Sequence, residues 1–298
     1  DVAAVTRASS KGMHFVNAEG RTLMIREGMP GPGPQGWHHN HYFHQPDLEG
    51  VLRAAAQACA GVQVHHNAEV VAVEDRGDHA GLKLARAPDN GPLERTARYV
   101  VGCDGARSLV RGAIGSSYDD LGLRQPWLVT DVVMRRDVNL PDYTIQHCDP
   151  ARPTTACCVT GQRRRWEMML KPGDDPREVV KPANVWTFLS RWVSPDDAEL
   201  ERAAVYTFQS VIARGWRKGR LLIAGDAAHQ TPPFIGQGMC AGMRDCANLA
   251  WKLERVLRGS SGDALLDTYE SERWPNVHSF IELAVRVGAV IQAEGAAA

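Results

Sequence analysis

The spacing of hydrophobic residues predicts a chain that mixes short strands with a few longer helices. Alternating or continuous apolar runs indicate strands, and most are bounded by glycine, asparagine or proline. These runs lie at 13–25, where two strands flank a turn at 17–20, and at 62–65, 69–74, 82–84 and 99–103. A strong turn signal at 89–92 indicates a hairpin. Apolar residues at helical spacing predict helices over 47–60 and 238–257, the second ending near Gly259.

The middle of the chain, 127–208, has β-branched and aromatic stretches, many prolines and frequent turn signals. This composition predicts an antiparallel sheet with one helix near 186–193. The pattern then reverts to a buried strand over 220–226 that ends in an aspartate. A last helix is predicted to start near Asp263, and we expect Pro275 to kink or interrupt it.

Composition narrows the class of protein. The 298 residues suffice for two domains, and the net charge of -1 gives no general attraction for nucleic acid or an anionic membrane. No apolar run reaches the length of a membrane span. The seven cysteines form no CxxC pair, which favours a reducing cytoplasm over a disulfide framework or a zinc site. The composition is compatible with a homo-oligomer.

Two local patterns suggest sites that we do not expect. The segment 31–36 has the spacing GxGxxG, but Pro32 and Pro34 lack the backbone N–H groups that would face a pyrophosphate, and no helix pattern follows. A histidine cluster follows, without a cysteine or carboxylate that would complete a metal site; its members are His38, His39, His41 and His44. We therefore predict a surface loop at 31–36 and no metal ion.

The most specific segment is 225–238, where a predicted strand delivers an aspartate to its end and a glycine-rich turn opens a helix. A carboxylate at Asp226 can accept hydrogen bonds from sugar or ribityl hydroxyls. Glycines before a helix let its backbone N–H groups approach a ligand, and the helix dipole favours negative charge there. The ordered set is Gly225, Asp226, His229, Pro233, Gly236, Gln237 and Gly238. The alternative is that Asp226 only caps a turn and the glycines only shape a loop.

A second segment, 101–111, has a related form. A strand ends at Asp104, Gly105 allows a sharp turn, and Ser108 is positioned to cap the next helix. Two arginines offer charge for a pyrophosphate, namely Arg107 and Arg111. The alternative is an ordinary strand–turn–helix unit with surface arginines.

Together these segments resemble class A flavoprotein aromatic monooxygenases. The segment 225–238 is similar to the second FAD-binding motif of that family, and 101–111 to its Asp-Gly motif, which contacts FAD and the nicotinamide cofactor. The segment 43–52 resembles a third motif, in which a glutamine contacts the ribityl-phosphate region of the flavin. Two middle segments, 147–154 and 165–173, resemble the 3-(3-hydroxyphenyl)propionate hydroxylase group.

The resemblance implies an α/β fold: an FAD-binding Rossmann-like domain of the glutathione-reductase type, with an inserted antiparallel β-sheet domain for substrate. The FAD domain would comprise 1–115 and 210–298, and the substrate domain 116–209. The implied cofactors are FAD and NADH or NADPH. The implied reaction is hydroxylation of a phenolic aromatic acid with O2 during aromatic degradation. The alternatives are another FAD-dependent oxidoreductase and a non-enzymatic fragment that holds no flavin.

The resemblance also assigns roles to residues. It makes Asp226 the main flavin anchor, turns the segment 236–238 towards the isoalloxazine, and lets Pro233 shape the ring pocket. The full predicted cofactor set is Gln45, Asp104, Gly105, Arg107, Arg111, Gly225, Asp226, Pro233, Gly236, Gln237 and Gly238. Arg152 is the candidate for a substrate carboxylate, with the cations at 163–165 as further candidates. The catalytic base is not identified; His147 and His229 are the candidates by residue type. Pro233 is a further candidate for a catalytic role, through its backbone.

The sequence departs from the family pattern in two ways. The family's N-terminal strand and GxGxxG loop have no counterpart here, nor does its C-terminal region, so we expect a fragment that does not hold FAD tightly alone. Many family members also have asparagine where this chain has Cys240, just inside the helix that would face the flavin.

Overall fold

The computed structural model describes residues 1–86, 91 and 93–292, so most of the turn predicted at 89–92 lies outside the described residues. Packing divides the described chain into two compact units. Unit 1 comprises Asp1–Val64, Gln125–Thr207 and the described residues 289–292. Unit 2 comprises His65–Arg124 and Phe208–Gly288.

The strands and helices are numbered in chain order. The strands are β1 (Thr6–Ala8), β2 (Met13–Val16), β3 (Thr22–Arg26), β4 (His41–Phe43), β5 (Val70–Asp75), β6 (Ala80–Leu84), β7 (Glu94–Ala97), β8 (Val100–Gly102), β9 (Ser117–Met134), β10 (Thr144–His147), β11 (Thr154–Cys158), β12 (Arg163–Met169), β13 (Ala198–Arg214), β14 (Arg217–Lys218), β15 (Leu221–Ile223) and β16 (His229–Gln230). The helices are α1 (Gln45–Gln57), α2 (Leu109–Ile114), α3 (Pro176–Val179), α4 (Pro182–Leu189), α5 (Gly238–Leu257) and α6 (Thr268–Ile291).

Unit 1 is built on a sheet with the strand order β13-β9-β12-β11-β10-β2-β3, to which the long strands β9 and β13 contribute only part of their length. The pairs among β9 to β12 are antiparallel, as the composition of the middle segment predicted, whereas β10 and β2 run parallel. In the second half of β12 the buried Trp166 and Met168 alternate with half-buried residues, because successive side chains of a strand point to opposite faces.

One face of this sheet packs on helices α3 and α4. The core there contains Leu128, Val132, Trp166, Met168, Val185 and Leu189. The sequence placed a helix near 186–193, but α4 begins at Pro182 and ends at Leu189. Proline is favoured in the first turn of a helix, since its missing N–H has no intrahelical partner there. The predicted strand at 62–65 was also wrong, because Val62 and Val64 are exposed and no sheet formed by the described residues includes this segment.

Unit 2 has a small α/β core. The strands β8 and β15 pair in parallel, and β14 pairs antiparallel with β15. Helices α2, α5 and α6 share one hydrophobic core with these strands, which includes Ile114, Trp216, Ile223, Leu249, Tyr269 and Ile281. A separate antiparallel sheet, β5-β6-β7, belongs to the same unit. The predicted strands at 69–74, 82–84 and 99–103 are therefore confirmed as β5, β6 and β8.

The two C-terminal helices test the helix predictions most directly. Helix α5 has the predicted bounds, and Gly259 adopts a φ of 72° just after it. The last helix begins after a 3-10 turn at Asp263–Asp267 and then runs unbroken through Pro275. The expected interruption was wrong: Pro275 and Ser271, four residues earlier, both lie on the exposed side, where water can satisfy the carbonyl that proline leaves unbonded. In the part of the chain that the structure describes, no helix combines the length and hydropathy needed to cross a membrane.

Candidate functional site

The loop after β15 presents a carboxylate that the described residues leave unbonded. Strand β15 ends at Ile223, and a 3-10 turn at Gly225–Ala227 follows. This turn has no side-chain cap, so Asp226 does not serve as one. The Asp226 side chain is exposed, yet nearby protein atoms displace part of the hydration of its carboxyl group and raise its pKa, and the charge of His229 opposes this effect only in part. Such a carboxylate, exposed at a strand end, is available to a ligand's hydroxyl groups.

A fully buried aspartate on α5 forms a hydrogen bond with the backbone of the same loop. Asp245 accepts hydrogen bonds from the backbone N–H of Gly225 at 3.0 Å, from Nε of Arg273 at 2.9 Å and from Nε2 of His229 at 2.6 Å. Burial alone would raise the pKa of Asp245, but the bonds from His229, Arg273 and Gly225 lower it below its ordinary value. The buried carboxylate is therefore ionised and fixes the backbone immediately before Asp226.

His229 lies inside this network. The residue is 1 % exposed, and its ring lies 5.6 Å from the ring of Trp216. Within the described part of the chain, Nδ1 of His229 has no hydrogen-bond partner. Because solvent does not reach the ring, this geometry favours a positioning role for His229. Its candidacy as a catalytic acid or base stays a prediction.

A second buried charge joins α5 to α6. Lys252 is fully buried, and its Nζ donates to Oγ1 of Thr268 at 2.7 Å and contacts Oε2 of Glu272 at 2.8 Å. Asn248 also donates to Glu272 at 2.8 Å. The bond from Asn248, followed by that from Lys252, lowers the pKa of Glu272 to about 2. These contacts keep α5 and α6 in one arrangement behind the loop.

The role of this network was not predicted from the sequence. A usable signal was present, since Asp245, Asn248 and Lys252 recur at spacings of three and four residues and share the helix face of the buried Leu249. Polar and charged residues on the buried side of a helix indicate partners elsewhere in the fold.

The N-terminus of α5 is open. The 3-10 turn at Pro233–Ile235 ends at Gly236, which has a φ of 64°, and Gln237 caps α5 without a side-chain bond to its backbone. The first helical bond runs from Ala241 to Gln237, so the N–H groups of 238–240 have no partner within the helix. A Cβ atom built on Gly236 or Gly238 meets no atom of the described residues within 4 Å. This terminus suits a ligand that carries negative charge.

Helix α5 also approaches the Asp226 loop closely. A Cβ atom on Gly242 would lie 3.3 Å from Cα of Gly225, which itself has a φ of 61°. Two backbones therefore meet where larger side chains would separate them.

In the segment 101–111, the aspartate serves its own helix. Both carboxylate oxygens of Asp104 are engaged: Ser108 Oγ donates at 2.6 Å, and the N–H groups of Leu109 and Val110 donate at 2.7 and 3.2 Å. The predicted cap is confirmed, because Ser108 Oγ accepts from the N–H of Arg111 at 2.9 Å. Gly105 has a φ of 75° and makes the predicted sharp turn.

Arg111 joins the two motifs. Its guanidinium donates to the carbonyl of Ala227 at 2.9 Å and to that of Ala106 at 2.8 Å, and it lies 4.7 Å from the ring of Tyr118. Arg107 is exposed and has no partner among the described residues. The structure therefore brings 104–111 and 225–238 together in unit 2, with one arginine between them and one directed to solvent.

A model of an FAD-binding family, described as "FAD binding domain", matches residues 4–284. The chain belongs to this family. It is 41% identical over 282 residues to "Probable NADH-specific resorcinol 4-hydroxylase" of Rhodococcus jostii (strain RHA1), covering 94% of this chain and 52% of that protein. It is 36% identical over 288 residues to "3-(3-hydroxy-phenyl)propionate/3-hydroxycinnamic acid hydroxylase" of Mycobacterium avium (strain 104), covering 94% and 49%. The chain thus spans about half the length of the curated relatives it matches.

Solved structures confirm the fold of the FAD-binding family for this chain. Aklavinone-11 hydroxylase, in a ternary complex with FAD and aklavinone, superposes with a TM-score of 0.83 at 25% identity, covering 96% of this chain and 56% of that one. The p-nitrophenol 4-monooxygenase of Pseudomonas putida DLL-E4 superposes with a TM-score of 0.83 at 19% identity, covering 100% and 75%. The predicted Rossmann-like α/β fold with a large antiparallel sheet is confirmed, while the domain bounds stay a prediction.

The remaining predicted site residues lie in unit 1. Gln45 is the first residue of α1, and its amide donates to Glu49 at 2.7 Å. Arg152 donates to the two carboxylate oxygens of Asp174 at 2.8 and 3.3 Å and to the carbonyl of Met169 at 2.9 Å. The charge of Arg152 is therefore already paired, which favours a structural role over recognition of a substrate.

The three arginines of β12 have different surroundings. Arg163 pairs with Glu201 at 3.0 Å, and Arg165 pairs with Asp131 at 2.7 Å. Arg164 donates to the carbonyl of Pro141 at 2.7 Å and has no carboxylate partner among the described residues. Of the cations considered for a substrate carboxylate, Arg164 alone among these three keeps an unpaired charge in the described structure.

Proposed function

We propose that this member of the FAD-binding family is an aromatic hydroxylase that uses NADH or NADPH and O2 to hydroxylate a single-ring phenol. The observation that carries the proposal is the unbonded Asp226 carboxylate beside the open N-terminus of α5. Both curated relatives described above are named as hydroxylases of phenolic compounds, which supports the reaction class.

The residues of unit 2 fit the flavin half of FAD. We propose that Asp226 accepts a hydrogen bond from a ribityl hydroxyl, and that the N–H groups at 236–238 stabilise negative charge on the flavin ring. Pro233 would shape the ring pocket through its backbone. When bound, FAD supplies the redox chemistry, taking a hydride from the nicotinamide and activating oxygen.

The segment 101–111 would serve the phosphate side of the cofactor. The unpaired guanidinium of Arg107 is the proposed contact for the pyrophosphate. Asp104, Gly105 and Arg111 would position this segment, because their polar groups already bond within unit 2. In unit 1, Gln45 is the proposed contact for the ribityl-phosphate region. The proposed substrate domain remains 116–209.

Two substrate classes remain, and different observations support each of them. A phenolic acid such as 3-(3-hydroxyphenyl)propionate agrees with one named relative. An uncharged phenol such as resorcinol agrees with the other, at 41% against 36% identity, and with the pairing of Arg152 to Asp174. We also propose a reducing cytoplasm as the location, on the basis of seven free cysteines.

The test uses the full-length protein. Its visible spectrum shows whether flavin is bound, and oxygen uptake with NADH or NADPH is measured with resorcinol, 3-(3-hydroxyphenyl)propionate and the corresponding alcohol. A hydroxylated product is expected. Oxidation of NAD(P)H that yields only hydrogen peroxide with every phenol would favour a different flavin oxidoreductase. Absence of flavin from the full-length protein would favour the non-enzymatic alternative. Equal stimulation by the acid and the alcohol would remove carboxylate recognition from the proposal.

A further inference from the structure

A pocket of about 370 Å³ lies within unit 1, on the side of the sheet that packs against α4. Its walls come from β10 to β12, from the loop before β10 and from the turn after α4. The residues that matter chemically are Tyr143, His147, Arg164, Trp166, Arg191 and Trp192. The flavin site proposed in unit 2 uses none of these residues. The volume is in the range of small-molecule sites and suits a ligand with one ring.

Two side chains of this pocket hold polar atoms that lack partners. His147 is 8% exposed and Trp166 is 2% exposed. Among the described residues, neither Nδ1 of His147 nor Nε1 of Trp166 has a hydrogen-bond partner. A buried polar atom without a partner costs about 1–3 kcal/mol, so two of them in one pocket indicate that something polar completes the site.

The charges around the pocket favour an anion. Arg164 has no carboxylate partner in the described structure. Arg191 donates to the carbonyl of Ala18 at 3.0 Å, and its one carboxylate partner among the described residues is Asp149, at 4.0 Å. Burial, together with the charge of Arg191, lowers the pKa of His147 to about 4, so its imidazole is neutral near pH 7. Two guanidinium groups thus face one distant carboxylate, which leaves positive charge for a ligand to neutralise.

The walls favour a planar ring. The rings of Trp166 and Trp192 lie 6.1 Å apart at an angle of 40°, and Trp192 lies 5.2 Å from His147. Aromatic side chains at these spacings offer both faces and edges to a bound ring. The indole N–H of Trp166 can donate to an oxygen of the same ligand.

We propose that this pocket is a second binding site, which takes a small aromatic carboxylate with its ring among Trp166, Trp192 and Tyr143 and its carboxylate on Arg164. The neutral His147 and the Trp166 N–H complete the hydrogen bonds. This assignment does not depend on the proposed hydroxylase activity, because it stands on residues of unit 1 alone.

The test is calorimetric titration of the full-length protein with 3-phenylpropionate, a ring acid that lacks a phenol. Arg164→Met is expected to weaken this binding at least tenfold, and Trp166→Phe a few-fold, since it removes the N–H and keeps a ring. Arg164→Lys should restore part of the affinity, because it keeps the charge. Arg163→Met is the matched control: Arg163 is the preceding residue, points to the other face of β12 and pairs with Glu201, so it should bind as the wild type does.

Two further measurements separate this site from the flavin site. The uncharged 3-phenylpropan-1-ol should bind at least tenfold more weakly than the acid. Asp226→Ala should leave the affinity for 3-phenylpropionate unchanged. Loss of hydroxylase activity and loss of 3-phenylpropionate binding are therefore separate results. Equal affinity of the wild type, Arg164→Met and Arg163→Met for 3-phenylpropionate would overturn the proposal. So would a wild type that fails to bind the acid at millimolar concentration.

Discussion

The two units use arginine–carboxylate pairs in different surroundings. In unit 2, the side chains of Arg273 and Asp245 are 8% and 0% exposed, and a histidine and a backbone N–H complete the aspartate's bonds. In unit 1, Arg165 and Arg202 share Asp131 on a sheet face, with side chains 31%, 43% and 12% exposed. A buried pair must be complete because water cannot replace a lost partner, whereas a half-exposed pair is screened.

The paired charges of both units support the fold, and the unpaired charges beside them are available to a ligand. The buried pair of unit 2 fixes the backbone before Asp226 and leaves that carboxylate unbonded. The pairs of unit 1 hold strands and helices to each other, and of the three arginines of β12 only Arg164 has no carboxylate partner among the described residues. We infer that at these two places the unpaired group, Asp226 or Arg164, is where a ligand binds.

The largest expected effect comes from Asp245→Asn. The amide keeps the size of the side chain but leaves Arg273 charged and buried without a counter-ion, so the free energy of unfolding should fall by about 3–5 kcal/mol. Urea unfolding measures it. The exposed Asp196 provides the control, since Asp196→Asn should change stability by less than about 0.5 kcal/mol. A loss below about 1 kcal/mol for Asp245→Asn would remove the contrast between the two units.

Asp226→Ala should affect cofactor binding and spare the fold. Losing a charge-assisted hydrogen bond to a ribityl hydroxyl costs about 1.5–3 kcal/mol, which raises the Kd for FAD about 10- to 150-fold. Flavin titration of the full-length apoprotein measures this change. Unfolding should shift little, because no described residue bonds the Asp226 carboxylate. Full flavin content and normal activity in this variant would show that Asp226 is not the anchor.

Asp131→Asn should cost less than the equivalent change in unit 2. The two arginines that it leaves behind are partly hydrated, so we expect a loss of about 1 kcal/mol in the free energy of unfolding. Added salt should reduce the difference between variant and wild type, whereas it should not for Asp245→Asn. If the two asparagine variants lose equal stability, burial does not distinguish the pairs.

The smallest expected effect is a pH-dependent change in the stability of the flavin-free protein. The pKa of Asp226 is raised in the folded state, chiefly because nearby protein atoms displace part of its hydration, so its ionisation disfavours folding as the pH rises through the raised value. Asp226→Asn should therefore stabilise the apoprotein slightly near pH 7, by less than about 0.5 kcal/mol because the side chain is exposed. Below the ordinary aspartate pKa of about 3.9, variant and wild type should unfold alike. A variant that is less stable near pH 7 would contradict this sign.

Local signals predicted the elements that depend on nearby residues. The bounds of α5 followed from its apolar periodicity and flanking glycines, and the Ser108 cap from its place before α2. The strand predicted at 62–65 is absent from the structure, because alternating apolar and polar residues show only that the two faces of a segment differ in polarity. Whether a sheet is there to bury one of them depends on distant residues.

Part of the candidate site was also predictable, because that part is formed by residues close together in the sequence. The residues of 225–238 form a short segment with its own pattern, and the structure places them at one strand end and one helix start. Contacts over long separations were invisible: Asp245 meets Arg273 across 28 positions, and Arg152 meets Asp174 across 22. No spacing rule links such residues, so the sequence could not show which charges are already paired.

The close approach of Gly242 to Gly225 limits how this protein can be engineered for heat resistance. Replacing helical glycines with alanine usually gains about 0.5–1 kcal/mol, because it restricts the unfolded chain. Gly112 in α2 meets nothing within 4 Å and is a suitable position for such a design. At Gly242 the same exchange would force a methyl group to 3.3 Å from another backbone and push the Asp226 loop away from its support. A library of variants designed for thermostability should therefore include substitutions at Gly112 and keep Gly242 unchanged.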